Sequence, residues 1–283
     1  MDRRLLAAVA VAVLLGLSGC STPFGDDAAS PEALSADADY DFDTDRDASI
    51  TVNEDNYTAV YAISDPDRET VELYTTDSLT VEQPLAVRGL QFRYANASRV
   101  PNGTIVRYTD ADDADDGGAA RVYPNGTTES TDALTVETTG DRTIVGLPEA
   151  AGTLAFTAPK DGKELAVRPP VNGSFELALP PETDAALPLL SQTRPSNDDR
   201  RTVDGRVHLL WEEVDTSVLV VRWYLNRDLL LFGGLAAVGV AVGLAGAGYY
   251  YLQLRRARRR REAEGMDVDY DDDDGRDPPP GMG

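Results

Sequence analysis

The sequence predicts a mainly β protein, built as one or two antiparallel β-sandwich domains and followed by a single C-terminal transmembrane helix. Three observations predict it. Between residues 48 and 225, short segments rich in Val, Ile, Thr, Tyr and Phe alternate at period two and are bounded by Gly, Pro, Asn and Asp. No stretch in that interval carries the 3.6-residue apolar spacing of a long amphipathic helix. Beyond it, Leu229 to Leu254 holds neither a charge nor a proline and exceeds the roughly 20 residues that cross a bilayer as a helix.

At the N-terminus, Arg3 and Arg4 precede an uncharged apolar run from Leu5 to Leu17. That run has the length of a secretory signal and is too short to span, so residues 1–19 read as a signal peptide. It ends in Leu17-Ser18-Gly19-Cys20. This tetrapeptide resembles a lipobox, whose cysteine becomes the lipid-bearing first residue of a mature lipoprotein, and the resemblance implies lipidation at Cys20. Cys20 is the single cysteine, so no intramolecular disulfide can form. Arg3-Arg4-Leu5-Leu6 also half-matches a twin-arginine signal, which leaves both export routes open.

Residues 20–47 are polar and rich in Ala, Ser and Asp, and read as a lipidated acidic tether. From Asp37 to Asp47 every second residue is Asp. These carboxylates lack the glycine turn and terminal glutamate of a calcium loop, since Phe42 and Ala48 stand at those positions, so the run reads as solvated charge. Asp110 to Asp116 is a second acidic cluster that also misses that spacing, and reads as an exposed loop.

Strands are expected at 48–53, 56–64, 69–76, 85–95, 104–109, 119–123, 133–138, 142–147, 151–158, 163–168, 173–179, 203–212 and 215–224. Pro101-Asn102-Gly103, Pro124-Asn125-Gly126, Lys160-Asp161-Gly162 and Val171-Asn172-Gly173 mark turns, each with a glycine where positive φ is needed. A break in composition near Pro148 to Gly152 divides the outer portion into a first β-rich part, 48–148, and a membrane-proximal part, 149–225. Asn56, Asn96, Asn102, Asn125 and Asn172 each open an Asn-x-Ser/Thr sequon and are the candidate N-glycosylation sites. All five lie in the portion expected outside.

The span at 229–254 is flanked by Trp223 and Tyr224 on one side and Tyr249 to Tyr251 on the other, aromatic belts about 37 Å apart along a helix. Six arginines between Arg255 and Arg261 then place that end in the cytoplasm by the positive-inside rule. Gly239 and Gly243 form one Gly-x-x-x-Gly, a spacing that supports a helix-mediated dimer. The remaining 255–283 segment carries arginines, acids and Pro278 to Pro280 with almost nothing to bury, and reads as a disordered cytoplasmic tail.

Acidic residues number 49 against 26 Lys and Arg, for a net charge of −23. Such a surface repels nucleic acid, and no nucleic-acid partner is expected. Only Lys160 and Lys163 are lysines, and every other basic residue apart from His208 is arginine. High acidity with scarce lysine resembles proteins of salt-loving archaea. In molar salt the Debye length falls to about 3 Å, so dense carboxylates repel one another little and keep the surface hydrated. With lipobox, β-rich ectodomain and arginine-stopped helix together, the chain resembles haloarchaeal membrane lipoproteins.

Catalytic chemistry has few residues to work with. The single histidine, His208, sits between Val207 and Leu209 in an expected strand and reads as a strand residue rather than a general base. One cysteine and one histidine exclude Cys/His zinc sites, and neither a phosphate-binding Gly-x-x-x-x-Gly-Lys-Ser/Thr nor a Gly-x-Ser-x-Gly is present. No catalytic residue, metal ligand or cofactor is expected. The function expected is a membrane-anchored extracellular lipoprotein with a non-catalytic surface role in envelope structure or protein contact. Two alternatives stand beside it: a solute- or cation-binding cell-surface receptor, and a hydrolase using two carboxylates about 5 to 10 Å apart. The localisation expected is the cell membrane, single-pass, with the ectodomain outside.

Overall fold

The computed structural model describes residues 29–65, 67–76, 82–95, 100–109, 118–149 and 151–263. Cys20, Asn96 and the whole Asp110 to Asp116 cluster lie outside the described residues. A one-turn helix, α1 (Pro31–Leu34), opens the described chain, with Ser30 Oγ accepting from Ala33 N. In chain order the strands are β1 (Ala48–Val52), β2 (Asn56–Ile63), β3 (Thr70–Thr76), β4 (Glu82–Pro84), β5 (Arg88–Tyr94), β6 (Ile105–Tyr108) and β7 (Ala119–Val122). They continue as β8 (Thr128–Thr131), β9 (Thr135–Thr138), β10 (Thr143–Gly146), β11 (Gly152–Pro159), β12 (Glu164–Val167) and β13 (Gly173–Ala178). The last are β14 (Thr183–Asp184), β15 (Gln192–Arg194), β16 (Asp199–Val203), β17 (Arg206–Val214), β18 (Leu219–Arg222) and β19 (Tyr224–Leu225), and a long helix, α2 (Asn226–Ala263), follows.

Ten strands form one sheet in the order β16-β17-β13-β1-β2-β11-β5-β6-β7-β8, beside sheets of four (β4-β3-β10-β9), three (β12-β18-β15) and two (β14-β19). Among the described residues all pairings are antiparallel except β1 with β13. The period-two alternation of the sequence becomes two faces of the long sheet. Ile50, Val52, Tyr61, Phe92, Leu154, Phe156, Phe175, Leu177, Leu209 and Trp211 point to one side and join a single apolar cluster. Val71 and Leu73 of β3, Val145 of β10, Leu165 and Val167 of β12, and Leu219 and Val221 of β18 complete it, so the smaller sheets cover that face and exclude water from it. Tyr61 packs against Phe156 on the adjacent β11 and against Phe175 on β13, beyond β1, at ring separations of 6.0 and 6.4 Å.

The expected boundary at 148–152 does not divide the fold. β2 pairs along its whole length with β11, and β1 with β13, so strands from before and after the break interleave in one sheet. Burying the same apolar face holds both halves together, and residues up to Asn226 form one compact unit. The four glycine turns do take positive φ, at Gly103, Gly126, Gly162 and Gly173. The expected strand 203–212 begins instead inside a hairpin: Asp204 (φ 48°) and Gly205 (φ 78°) turn the chain between β16 and β17, the geometry that an Asp-Gly pair provides for two-residue loops.

The expected tether at 20–47 is also corrected, because from Ala29 the chain packs on the fold. Leu34 is buried in the main cluster. Residues 36–43 then run as a strap over the other face of the long sheet, with Tyr40 and Phe42 buried against Val60 and Ala155. Gln91 Nε2 donates to Ala38 O at 2.7 Å, Tyr40 Oη meets Thr157 Oγ1 at 2.9 Å, and Arg93 donates to Phe42 O at 2.7 Å. The Asp-x repeat is thus a strand-like pattern. Its carboxylates face solvent while Tyr40 and Phe42 face the sheet, and burial at about 25 cal/mol per Å² of apolar surface gives the strap its hold.

Asp47 ends the strap and fastens the parallel pair. Its carboxylate accepts from Ser174 N and Ser174 Oγ, both at 2.8 Å, and Ser174 Oγ accepts in turn from Asp47 N. Asp47→Ala leaves a half-buried amide without its charged acceptor, so an equilibrium urea titration should show a loss of about 1–2 kcal/mol. No change within error would mean that the parallel pair does not depend on this contact.

α2 forms a separate unit with Arg227 onward. It starts at Asn226 rather than Leu229 and runs past the expected end at Leu254, through the arginine cluster, to Ala263. Arginine is a good helix former and no helix breaker intervenes, so the first part of the expected disordered tail is helical. From Leu230 to Leu252 its large apolar side chains are exposed. By length and composition it can cross a membrane.

Candidate ligand cleft

Four chain segments meet around a cleft of about 540 Å³: the β1–β2 turn (Asn53, Glu54, Asp55), the turn after β11 (Lys160, Gly162, Lys163), the Pro180-Pro181-Thr183 corner, and Trp223 with Leu225. Each is positioned by backbone pairing. Asn53 N donates to Asn56 O, Lys160 N to Asp55 O, Trp223 N to Lys163 O and Thr183 Oγ1 to Pro180 O. At the corner, Glu182 lies in the left-handed region (φ 58°), and its carbonyl accepts from Asn226 N at 3.0 Å.

Both lysines of the chain therefore line the same cleft. Lys160 Nζ stands 5.3 Å from the centroid of the Trp223 ring, donates to Gly162 O at 2.8 Å and also donates to Glu54 O. Burial lowers its pKa, and the nearby carboxylates of Asp55, Asp161 and Glu54 oppose that shift less strongly. Two carbonyls and an indole face thus hold the ammonium in place. The cleft combines fixed positive charge, an aromatic wall and exposed carboxylates at Glu54 and Asp55, a mixture suited to a small anionic or zwitterionic solute.

His208 is a strand residue of β17, as the sequence reading has it. Its Nδ1 lies 2.6 Å from Glu176 Oε1 on β13, and Arg201 of β16 donates to both Glu176 oxygens at 2.9 and 3.0 Å. Burial alone would raise the Glu176 pKa, but the hydrogen bonds from Arg201 and His208 outweigh it and hold the carboxyl below the usual glutamate range. A depressed carboxylate pKa stabilises the fold above the unfolded-state value, and that contribution disappears as pH falls through the folded-state value. Glu176→Gln should therefore reduce stability near neutral pH and flatten the acid limb of a pH–stability curve. An unchanged acid limb would show that the carboxylate carries no such linkage.

Of the candidate glycosylation sites, Asn102, Asn125 and Asn172 are exposed beside their positive-φ glycines, and Asn125 Oδ1 accepts from Thr127 N to close its own turn. Asn56 opens β2 half-buried, its Oδ1 accepting from Asn53 Nδ2 at 2.9 Å. None of the four lines the cleft. Among the described residues, no group of three or more His, Cys, Asp or Glu side chains is arranged to hold a metal ion. The cleft itself escaped the sequence reading. The one signal for it was two lysines, three positions apart, in a chain otherwise served by arginine.

A family described as "Family of unknown function (DUF5803)" matches residues 44–115 and 120–269, which takes in the long sheet, the cleft and all of α2. No curated protein and no solved structure matches the chain.

Proposed function

The chain belongs to the DUF5803 family, and from that premise we propose that it is a membrane-anchored extracellular lipoprotein of salt-loving archaea, with a non-catalytic surface role in envelope structure or protein contact. One observation carries the reading: β19 ends at Leu225 and α2 begins at Asn226 with no linker between them. A β unit joined so directly to a helix of spanning length and composition is built to be held at a membrane. The six arginines at the far end support a cytoplasmic C-terminus, and Leu17-Ser18-Gly19-Cys20 supports lipid at Cys20. The test is the intact mass of the mature protein, purified in detergent from its native membrane. A chain beginning at Cys20 with added lipid supports the reading, and added hexose mass supports outward-facing sequons. A mass beginning at Met1 without lipid overturns the lipoprotein.

The cleft favours a second reading, a cell-surface receptor for a small solute. Its probe is a set of small carboxylates screened by thermal shift in molar KCl. A rise in melting temperature that disappears in Lys163→Gln supports the receptor, whereas no rise with any carboxylate argues against it.

A further inference from the structure

The loop between β14 and β15 differs from the rest of this surface. In a chain that is 27% charged, Ala185 through Thr193 contains no charged residue, and Leu189 at its tip is 94% exposed, with Leu187 at 39%. The loop is nonetheless firmly built. Asp184 Oδ1 accepts from Ala185 N at 2.6 Å and Ala186 N at 3.0 Å, and Leu187 O accepts from Leu190 N, Ser191 N and Ser191 Oγ at 2.8 to 2.9 Å. Asp184 is itself paired with Arg200 at 2.9 Å. A closed turn thus holds a leucine outward, where a collapsed or polar tip would serve solubility better.

The root of the loop says what the leucine meets. Thr183 and Asp184 pair with Leu225 and Tyr224, so the loop starts about 5 Å from the residue that leads into α2, whatever angle the helix takes. Leu189 is five residues beyond Asp184, a reach of at most about 18 Å. The charge pattern agrees, since a surface of net −23 can approach a bilayer only where carboxylates are absent or paired. This loop is such a place: Ala185 through Thr193 carries no carboxylate, and Asp184 at its root is paired with Arg200.

We infer that residues 185–190 seat in the headgroup and upper acyl region of the bilayer that α2 crosses, with Leu187 and Leu189 as the inserted side chains. The loop is then a second, peripheral membrane contact in addition to the span. This inference rests on the membrane-anchored reading above.

The experiment uses the full chain with Cys20→Ser and a single new cysteine, Leu189→Cys, labelled with an environment-sensitive fluorophore and reconstituted in phosphatidylcholine–phosphatidylglycerol vesicles containing shallow spin-labelled lipid. Asn125→Cys, on the exposed β7–β8 turn, is the solvent control, and Val238→Cys, within α2, reports the span. The inference expects blue-shifted emission with at least two-fold quenching at position 189, quenching at 238 and none at 125. Quenching at 238 without quenching at 189 overturns the inference and leaves the anchor standing. No quenching at either position overturns both. A blue shift at 189 that depends on protein concentration and not on spin-labelled lipid assigns the loop to a second protein, and overturns the lipid contact.

Discussion

Trp211→Ala is expected to lower the stability of the β unit by about 3–5 kcal/mol, the range for emptying a buried large aromatic site. Trp211 is 1% exposed on β17 and faces Phe175 across the β13 pairing, in the part of the long sheet that β1 joins to β2 and β11. Its removal leaves a cavity that the flanking strands cannot close without breaking register. It also removes the indole Nε1 donor to Pro195 O at 3.1 Å, in the segment that leads into β16. For a unit of this size each kcal/mol shifts the melting temperature by about 2–4 °C, so a drop on the order of 10 °C should appear in a circular-dichroism melt in molar salt. A loss below about 1 kcal/mol would show that this part of the sheet packs otherwise.

What the sequence made legible follows from what burial does to a strand. β1, β2, β11 and β13 each put alternate side chains into the core, and all were expected close to their observed bounds. β8 and β16 were missed for the complementary reason. They are the two edges of the long sheet, with the patterns Thr-Glu-Ser-Thr and Asp-Arg-Arg-Thr-Val, and both are exposed along almost their whole length. An edge strand that covers no core needs no apolar alternation and gains from charge that discourages further pairing. The short β4, β14 and β15 were missed because two or three residues cannot establish a period.

The candidate cleft was hidden differently. Its walls come from four segments spread between Asn53 and Leu225, and only the fold brings them together. Lys160 and Lys163 could be singled out by rarity, but nothing local connects them to Trp223. The strap was half legible. Its Asp repeat reads as a solvated run, and the carboxylates from Asp37 to Asp45 are exposed, but Tyr40 and Phe42 between them form a buried apolar face of period two.

The strap also sets the other large expected effect, at the place where it crosses the sheet. Gly89 occupies a bulge in β5, where the β11 register slips between Ala155 and Thr157, and takes φ 57°, the left-handed conformation such bulges reserve for glycine. A Cβ added there would lie 2.8 Å from Ala38 Cβ and 3.0 Å from both Ala36 O and Tyr40 Oη. Gly89→Val should therefore cost about 1–2 kcal/mol in backbone strain and a further 1–3 kcal/mol in overpacking, unless the strap lifts away. Lifting would release the Tyr40–Thr157 and Gln91–Ala38 hydrogen bonds together with the burial of Tyr40 and Phe42. The two routes can be told apart by limited proteolysis beside the melt. Faster cleavage within residues 36–46, with a modest fall in melting temperature, means that the strap is a separable layer over an independently stable sheet. A fall of about 10 °C without local cleavage means that strap and sheet unfold as one unit. Wild-type stability with a protected strap would show that the chain does not cross β5 at Gly89 at all.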